Sequence, residues 1–167
     1  MPTDGIRDAK DVLNAMRGRT GPFGMKDSPP YSDKPYYDDL VGELGDIIHS
    51  VRESGWQGDT WYILQSGDRC GYLSVGWGSC SGCDALEGAD TWEEVNELQD
   101  EFRGSIHWED GPDGLLRWMQ EHDWGGDYTA SSRDHAIFIR DALELLKGLC
   151  AAFPLRSRRD AGGKAHP

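Results

Sequence analysis

The hydrophobic positions of this chain follow a helical period in some segments and alternate in others. A period of 3.6 residues predicts amphipathic helices over residues 4–17 and 36–53. It also predicts three later helices, which begin near Thr91, near Pro112 and at residues 131–132. These segments indicate that helices form a large part of the molecule.

Two glycines interrupt the helix predicted over residues 36–53. The apolar residues of this segment keep the helical spacing: Leu40, Leu44, Ile47, Ile48 and Val51. Gly42 and Gly45 lie between them and lower the stability of a helix, unless another element approaches closely there. Gly55 then ends the predicted helix.

Alternating apolar residues predict a β-hairpin over residues 60–77, and Gly67 supplies the geometry of its turn. Residues 105–109 are also β-prone and predict a further strand, with His107 and Trp108 on opposite faces. The order of the elements predicts an α+β fold. In this fold a small, mostly antiparallel sheet, made of the hairpin and the later strand, packs against four to five helices.

The length of 167 residues favours a single domain. We expect that domain to span residues 1–154, with residues 1–35 as an N-terminal helix and a flexible loop that contains several glycines and prolines. A short edge strand is predicted over residues 127–129. Residues 155–167 are polar and basic, and we expect them to form a disordered tail.

Acidic residues are abundant and concentrated in one part of the chain. The formal net charge is −13, and residues 84–127 hold fourteen acidic residues against two arginines. Phosphate backbones are repelled by such a surface, which argues against direct nucleic-acid binding by the acidic body. A protein partner with a basic surface would be attracted to it. Acidity that serves only to keep the chain in solution is the competing interpretation.

The helix predicted from Thr91 carries most of the candidate binding residues. Acidic side chains occupy the faces away from its apolar positions, and tryptophans are interleaved with acids farther along the chain. Aromatic anchors surrounded by charge are typical of protein interfaces, although tryptophans at helical spacing also form cores. The candidate protein-binding residues are Glu93, Glu94, Glu97, Asp100, Glu101 and Trp124.

Residues 76–88 read GWGSCSGCDALEG and place Cys80 and Cys83 at CxxC spacing. Two thiolates at this spacing provide half of a tetrahedral zinc site, and His107 is a candidate third ligand, with Cys70 and His122 as others. A redox pair is the second interpretation, because in thioredoxin-like folds the motif opens a long helix whose N-terminus lowers a thiol pKa. In this chain Gly88 shortens the helix, and Asp84 and Glu87 oppose thiolate formation. In the third interpretation both cysteines are reduced and buried, and small residues pack the turn tightly. We therefore expect no cofactor, with zinc as the alternative.

Patterns that define common enzymes do not occur. The sequence contains no P-loop, GxSxG, HExxH or GxGxxG motif, so no catalytic residue is predicted and we expect no enzymatic activity. No apolar run is long enough to span a membrane, and the first residues lack a secretory pattern. Four cysteines without a small-scaffold spacing favour reduced thiols in a cytoplasm.

The motif GSCSGCDALEG, together with TWEEV at residues 91–95 and SIHW at residues 105–108, resembles small acidic proteins of bacteriophages and actinobacteria whose function is unknown. The resemblance covers residues 61–146 and implies a soluble accessory protein in the cytosol of a bacterial host. With the charge, it predicts a non-enzymatic protein that binds a host or phage protein, in the sharpest form by presenting a DNA-like negative surface. The alternative is a small metal or thiol module built on Cys80 and Cys83.

Overall fold

A computed structural model describes residues 35–124 and 132–152. Three predictions lie outside these described residues. They are the helix over residues 4–17 with the loop that follows it, the edge strand over residues 127–129 and the basic tail over residues 155–167.

Four strands form one antiparallel sheet. They are β1 (Asp46–Arg52), β2 (Gly58–Ser66), β3 (Arg69–Trp77) and β4 (His107–Glu109). Their order across the sheet is their order along the chain. β2 and β3 pair from Gly58 opposite Trp77 to Ser66 opposite Arg69, and Gly67 closes the turn with a φ of 59°. The predicted hairpin and the predicted later strand are both confirmed.

Five helices accompany the sheet in the described residues. They are α1 (Tyr37–Gly42), α2 (Ala85–Gly88), α3 (Trp92–Ser105), α4 (Gly111–Glu121) and α5 (Arg133–Ala152). The predicted capping box starts α3: the Glu94 N–H donates to Thr91 Oγ1 at 3.2 Å, and the Thr91 N–H donates to Glu94 Oε2 at 2.9 Å. The α+β fold is confirmed. No helix in the described ranges is long and apolar enough to cross a membrane.

The helices cover both faces of the sheet and create two cores. On one face, Tyr62 and Leu64 of β2 pack with residues of α1, α2 and α3, which we call the α1–α3 core. On the other face, Trp61 and Ile63 of β2 pack with residues of α4 and α5, which we call the α4–α5 core. Successive side chains of a strand point to opposite faces, so β2 contributes to both cores.

The single helix predicted over residues 36–53 is wrong. Its first part is the short helix α1, and its second part is the edge strand β1. Ile47 packs against the α1–α3 core while Ile48 packs against the α4–α5 core, which is the alternation of a strand. Gly45 precedes β1 at a place where an added Cβ would lie 3.0 Å from the Gln65 carbonyl oxygen. The close approach of β2 therefore favours glycine at this position.

Candidate functional site

The two CxxC cysteines lie on a tight turn, residues 78–84, which we call the cysteine turn. It leaves the end of β3 and leads into α2. The backbone N–H groups of Cys83 and Asp84 both donate to the Cys80 carbonyl at 2.9 Å, so the motif forms a closed loop. The positions of both thiols are thereby fixed relative to the end of the sheet.

Asp84 holds the cysteine turn to the rest of the fold. Its carboxylate is buried and caps α2: Oδ1 accepts from the backbone N–H groups of Leu86 at 3.0 Å and Glu87 at 2.9 Å. Oδ1 also accepts from the Tyr37 hydroxyl at 2.7 Å, and Oδ2 accepts from the Gly78 N–H at 2.8 Å. One carboxylate therefore ties together α1, the end of β3 and α2.

Gly78 allows the two ends of the cysteine turn to meet. A Cβ at this position would lie 2.4 Å from the Cys83 carbonyl oxygen and 2.7 Å from its Sγ. Backbone atoms cannot retreat as a flexible side chain can, so the turn closes only around glycine. In contrast, a Cβ on Gly82 would have no neighbour within 4 Å.

Both thiols of the turn are exposed, which contradicts the interpretation that they are buried packing residues. The pKa of Cys83 is lowered from its ordinary value, first by a hydrogen bond with the Cys80 thiol and then by backbone groups of Ser79 and Cys80. The protonated Cys83 thiol also donates to the Cys80 carbonyl at 3.3 Å. Burial instead raises the pKa of Cys70 and of Cys150. The turn thus carries the two cysteines that are exposed, and the pKa of Cys83 is lowered.

The structure does not bring His107 to the two thiols. His107 lies on β4 opposite Tyr72, five residues before the end of β3, whereas the cysteine turn follows that end. Its Nε2 is 2.8 Å from Glu109 Oε1, and its ring stacks on Trp118. No group of three or more His, Cys, Asp or Glu side chains in the described residues is arranged to hold a metal ion. The proposed zinc set of Cys80, Cys83 and His107 is therefore not assembled here.

A cleft of about 620 Å³ lies beside the cysteine turn. Its wall on one side is formed by the start of α1, and on the other by Gly78, Asp84 and the first residues of α2. The sheet contributes Ser50 and Arg52 from β1 and Thr60 from β2. This volume is within the range of small-molecule sites in proteins.

The five acidic candidates on α3 do form one exposed surface. Their side chains point away from the α1–α3 core, which α3 contacts through Val95, Leu98 and Phe102. One of them, Asp100, forms an ion pair with Arg103, the single basic residue of the helix. The exposed acidic candidates, which we call the α3 acidic face, are Glu93, Glu94, Glu97, Asp100 and Glu101.

Trp124 is separated from the α3 acidic face. It is half-buried against the α4–α5 core, on the opposite face of the sheet, and its indole N–H donates to the Met119 carbonyl at 3.0 Å. Its ring packs against Tyr72 with centroids 5.5 Å apart. Trp124 is therefore a packed residue and does not share a surface with the acids with which it was grouped.

The residues that line the cleft were not found from the sequence. The helical period places Arg52 at the end of a predicted helix, whereas Arg52 lies on an edge strand opposite Thr60. Asp84 carried a signal, since an aspartate immediately before the short helical run ALEG is in the position of an N-cap. Its further bonds to Tyr37 and Gly78 depend on tertiary structure alone.

The chain matches no protein-family model, no curated protein and no solved structure. The resemblance to acidic phage and actinobacterial proteins is therefore still a prediction.

Proposed function

We propose that this protein is a non-enzymatic interaction protein that binds a basic surface of another protein through the α3 acidic face. The observation that supports this proposal is the exposure of five carboxylates along one side of a 14-residue helix with one arginine. A surface with charge of one sign associates faster with a protein surface of opposite charge and is repelled by a surface of the same charge. The resemblance implies that the protein acts in a bacterial cytoplasm and that its partner is a host or phage protein.

The sharper form of the proposal is that the α3 acidic face substitutes for the phosphates of DNA. A helix with carboxylates on successive turns presents negative charge every 5–6 Å or so along its axis. A basic groove that accepts nucleic acid would then accept this helix. Direct binding of nucleic acid by the same surface is not expected, because phosphates would be repelled.

The test is capture of partners from bacterial lysate with matched charge variants. Glu97→Gln with Glu101→Gln removes two charges from the α3 acidic face, whereas Glu121→Gln with Glu144→Gln removes two exposed charges from α4 and α5. A partner that fits the proposal is retained roughly fivefold less by the first variant, at about 0.5 kcal/mol for each exposed charge. Its retention by the second variant is unchanged.

Salt and DNA complete the test. Retention should fall between about 0.05 M and about 0.5 M NaCl, because the Debye length shortens. Duplex DNA should compete for the partner if the helix replaces DNA. Binding that is insensitive to salt, or equal loss in both charge variants, would rule out the α3 acidic face as the binding surface.

A second candidate function is a thiol module on the cysteine turn, which the exposure and the lowered pKa of Cys83 favour. In this function the Cys83 thiolate attacks an oxidised disulfide, and the Cys80 thiolate then displaces the mixed disulfide. The products are a Cys80–Cys83 disulfide and a reduced dithiol, so two electrons and two protons leave the turn.

Alkylation and redox titration test this second function. Iodoacetamide should modify Cys83 first and Cys80 next, with Cys70 and Cys150 much slower, as followed by peptide mass spectrometry. In glutathione buffers the intact mass should fall by two hydrogens, and Cys80→Ser should abolish this loss. A chain that keeps all four thiols in oxidised glutathione would exclude the thiol module.

A further inference from the structure

Two carboxylates that line the cleft, those of Asp84 and Asp38, are already paired with tyrosine hydroxyls. Tyr37 donates to Asp84 at 2.7 Å, and Tyr62 donates to Asp38 Oδ1 at 2.8 Å. Burial, followed by the hydrogen bond to the carboxylate, raises the pKa of both phenols. Each hydroxyl therefore stays protonated and satisfies an acid of the cleft. These pairs reduce the capacity of Asp84 and Asp38 to accept bonds from a ligand.

Arg52 is the one cation among the described residues that line the cleft. Its guanidinium stacks over the Trp77 ring, 3.8 Å from the centroid. No ion pair joins it to a carboxylate within the described part of the chain. Stacking holds the guanidinium plane in place and leaves the N–H groups at its edge available, which is the arrangement that favours bidentate binding of an anion.

The charge of Arg52 also reaches both phenol–carboxylate pairs. Its positive charge lowers the pKa of Tyr37 and of Tyr62, in opposition to burial, so it lies within electrostatic range of both hydroxyls. Ser50 is two residues before Arg52 on β1 and lines the same cleft, and Thr60 lies opposite Arg52 on β2. Ser50 is exposed and can therefore add a hydrogen bond to an anion bound by Arg52, whereas the Thr60 hydroxyl is hydrogen-bonded to Tyr62.

The lining also limits which anion is acceptable. Asp38, Asp84 and Glu87 place negative charge around the site, so a doubly charged phosphate is more strongly repelled than a singly charged carboxylate. Apolar surface is provided by Pro35 and Leu86 and by Tyr36, whose side chain is 80% exposed. An organic molecule with one carboxylate and an apolar or aromatic part matches these features.

We propose that the cleft between α1, β1 and the cysteine turn is a binding site for a small organic carboxylate, which Arg52 holds through its carboxylate group. The apolar part of the ligand packs beside Tyr36 and Leu86. This site is separate from the α3 acidic face, and its ligand class is different from that of a basic protein partner.

The experiment is a titration of the full chain, labelled with nitrogen-15, with three probes, of which two share a phenyl ring. The probes are 3-phenylpropionate with a carboxylate, 2-phenylethylamine with an ammonium group, and inorganic phosphate as a separate dianion. Binding of 3-phenylpropionate should shift the Arg52 Nε–H signal and the Gly78 amide signal, since both groups line the cleft.

Two arginine variants provide the matched comparison. Arg69→Gln is the control, because Arg69 is also exposed and lies 5.0 Å from the Trp108 ring centroid on the same sheet, but outside the cleft. Arg52→Gln should weaken 3-phenylpropionate binding roughly tenfold or more, and Arg52→Lys should weaken it less. The proposal is overturned if Arg52→Gln binds 3-phenylpropionate as tightly as the unchanged protein does. It is also overturned if 2-phenylethylamine or phosphate binds more tightly than 3-phenylpropionate, or if 3-phenylpropionate shifts no cleft signal at any concentration up to its solubility limit.

Discussion

At the scale of single residues, the fold depends most on polar groups that the sequence presents as ordinary surface residues. In the sequence Asp84 is one of many acids and a charge that opposes thiolate formation, yet the residue is 5% exposed and its carboxylate accepts four hydrogen bonds. A buried donor without an acceptor costs more free energy than a hydrogen bond contributes. Asp84 therefore contributes to stability mainly as a hydrogen-bond acceptor and less through its charge.

Asp84→Ala is expected to lower the free energy of unfolding by about 3 kcal/mol, because four donors lose their acceptor at once. Tyr37→Phe removes a single bond to the same carboxylate and should cost about 1 kcal/mol. Urea unfolding at neutral pH measures both changes. Equal effects of the two variants would show that Asp84 does not organise the turn.

His49 makes stability depend on pH. Burial lowers its pKa below the ordinary value of 6.5, and its ring stacks on Phe138 in the α4–α5 core. A folded-state pKa below the unfolded value means that the unfolded chain binds more protons, so stability falls as the pH drops from about 6.5 through the folded pKa. His49→Phe keeps the aromatic contact and should reduce the loss of stability between about pH 7 and pH 5. An unchanged pH profile in this variant would exclude His49 as the source.

At the scale of elements, close approach of backbones decides where glycine is required. The cysteine turn contains Gly78 and Gly82, which are indistinguishable as turn residues in the sequence. A Cβ added to Gly78 would lie closer to the Cys83 backbone than van der Waals contact allows, whereas a Cβ added to Gly82 would have no neighbour within 4 Å. Glycine composition therefore predicts a turn but not which glycine closes it.

Gly78→Ala should destabilise the protein by about 2–3 kcal/mol, because an added methyl group must displace the Cys83 backbone. Gly82 has open space around it, and its backbone is not in the left-handed region that favours glycine. Gly82→Ala should therefore leave the stability unchanged or raise it by about a few tenths of a kcal/mol. Thermal unfolding of the two variants gives the comparison. Similar melting temperatures for both would contradict the close packing of Gly78 on Cys83.

The hydrophobic period predicted helices and strands correctly where a capping or turn residue also marked the end of the element. The capping box of Thr91 and Glu94 located α3, and Gly67 located the hairpin. The segment 36–53 was assigned incorrectly because Ile47, Ile48 and Val51 fit a helical stripe and also the two faces of a strand. The sequence singles out the CxxC pair and the α3 acids, but it does not predict that both thiols are exposed. It also does not predict the cleft, which joins residues 35–38, β1 and α2 from distant parts of the chain. Such a site depends on strand pairing that local patterns do not contain.

At the scale of the whole molecule, like charges repel one another across a small protein. The chain has 30 acidic and 17 basic residues, so compaction brings net negative charge together. We expect the free energy of unfolding at pH 7 to rise by about 1 kcal/mol when NaCl is raised from about 0.01 M to about 0.3 M, because screening weakens this repulsion. NaCl is preferred to sulfate, which also stabilises by exclusion from the surface. A loss of stability with NaCl would indicate that attractive ion pairs dominate.

The central position of β2 has a consequence for cooperativity. Trp61 and Ile63 belong to one core, and Tyr62 and Leu64 belong to the other, so this one strand packs on both sides of the sheet. Neither layer of helices can dissociate fully without exposing one side of this shared strand. The described fold should therefore melt in a single transition, in which tryptophan fluorescence and far-ultraviolet circular dichroism change together.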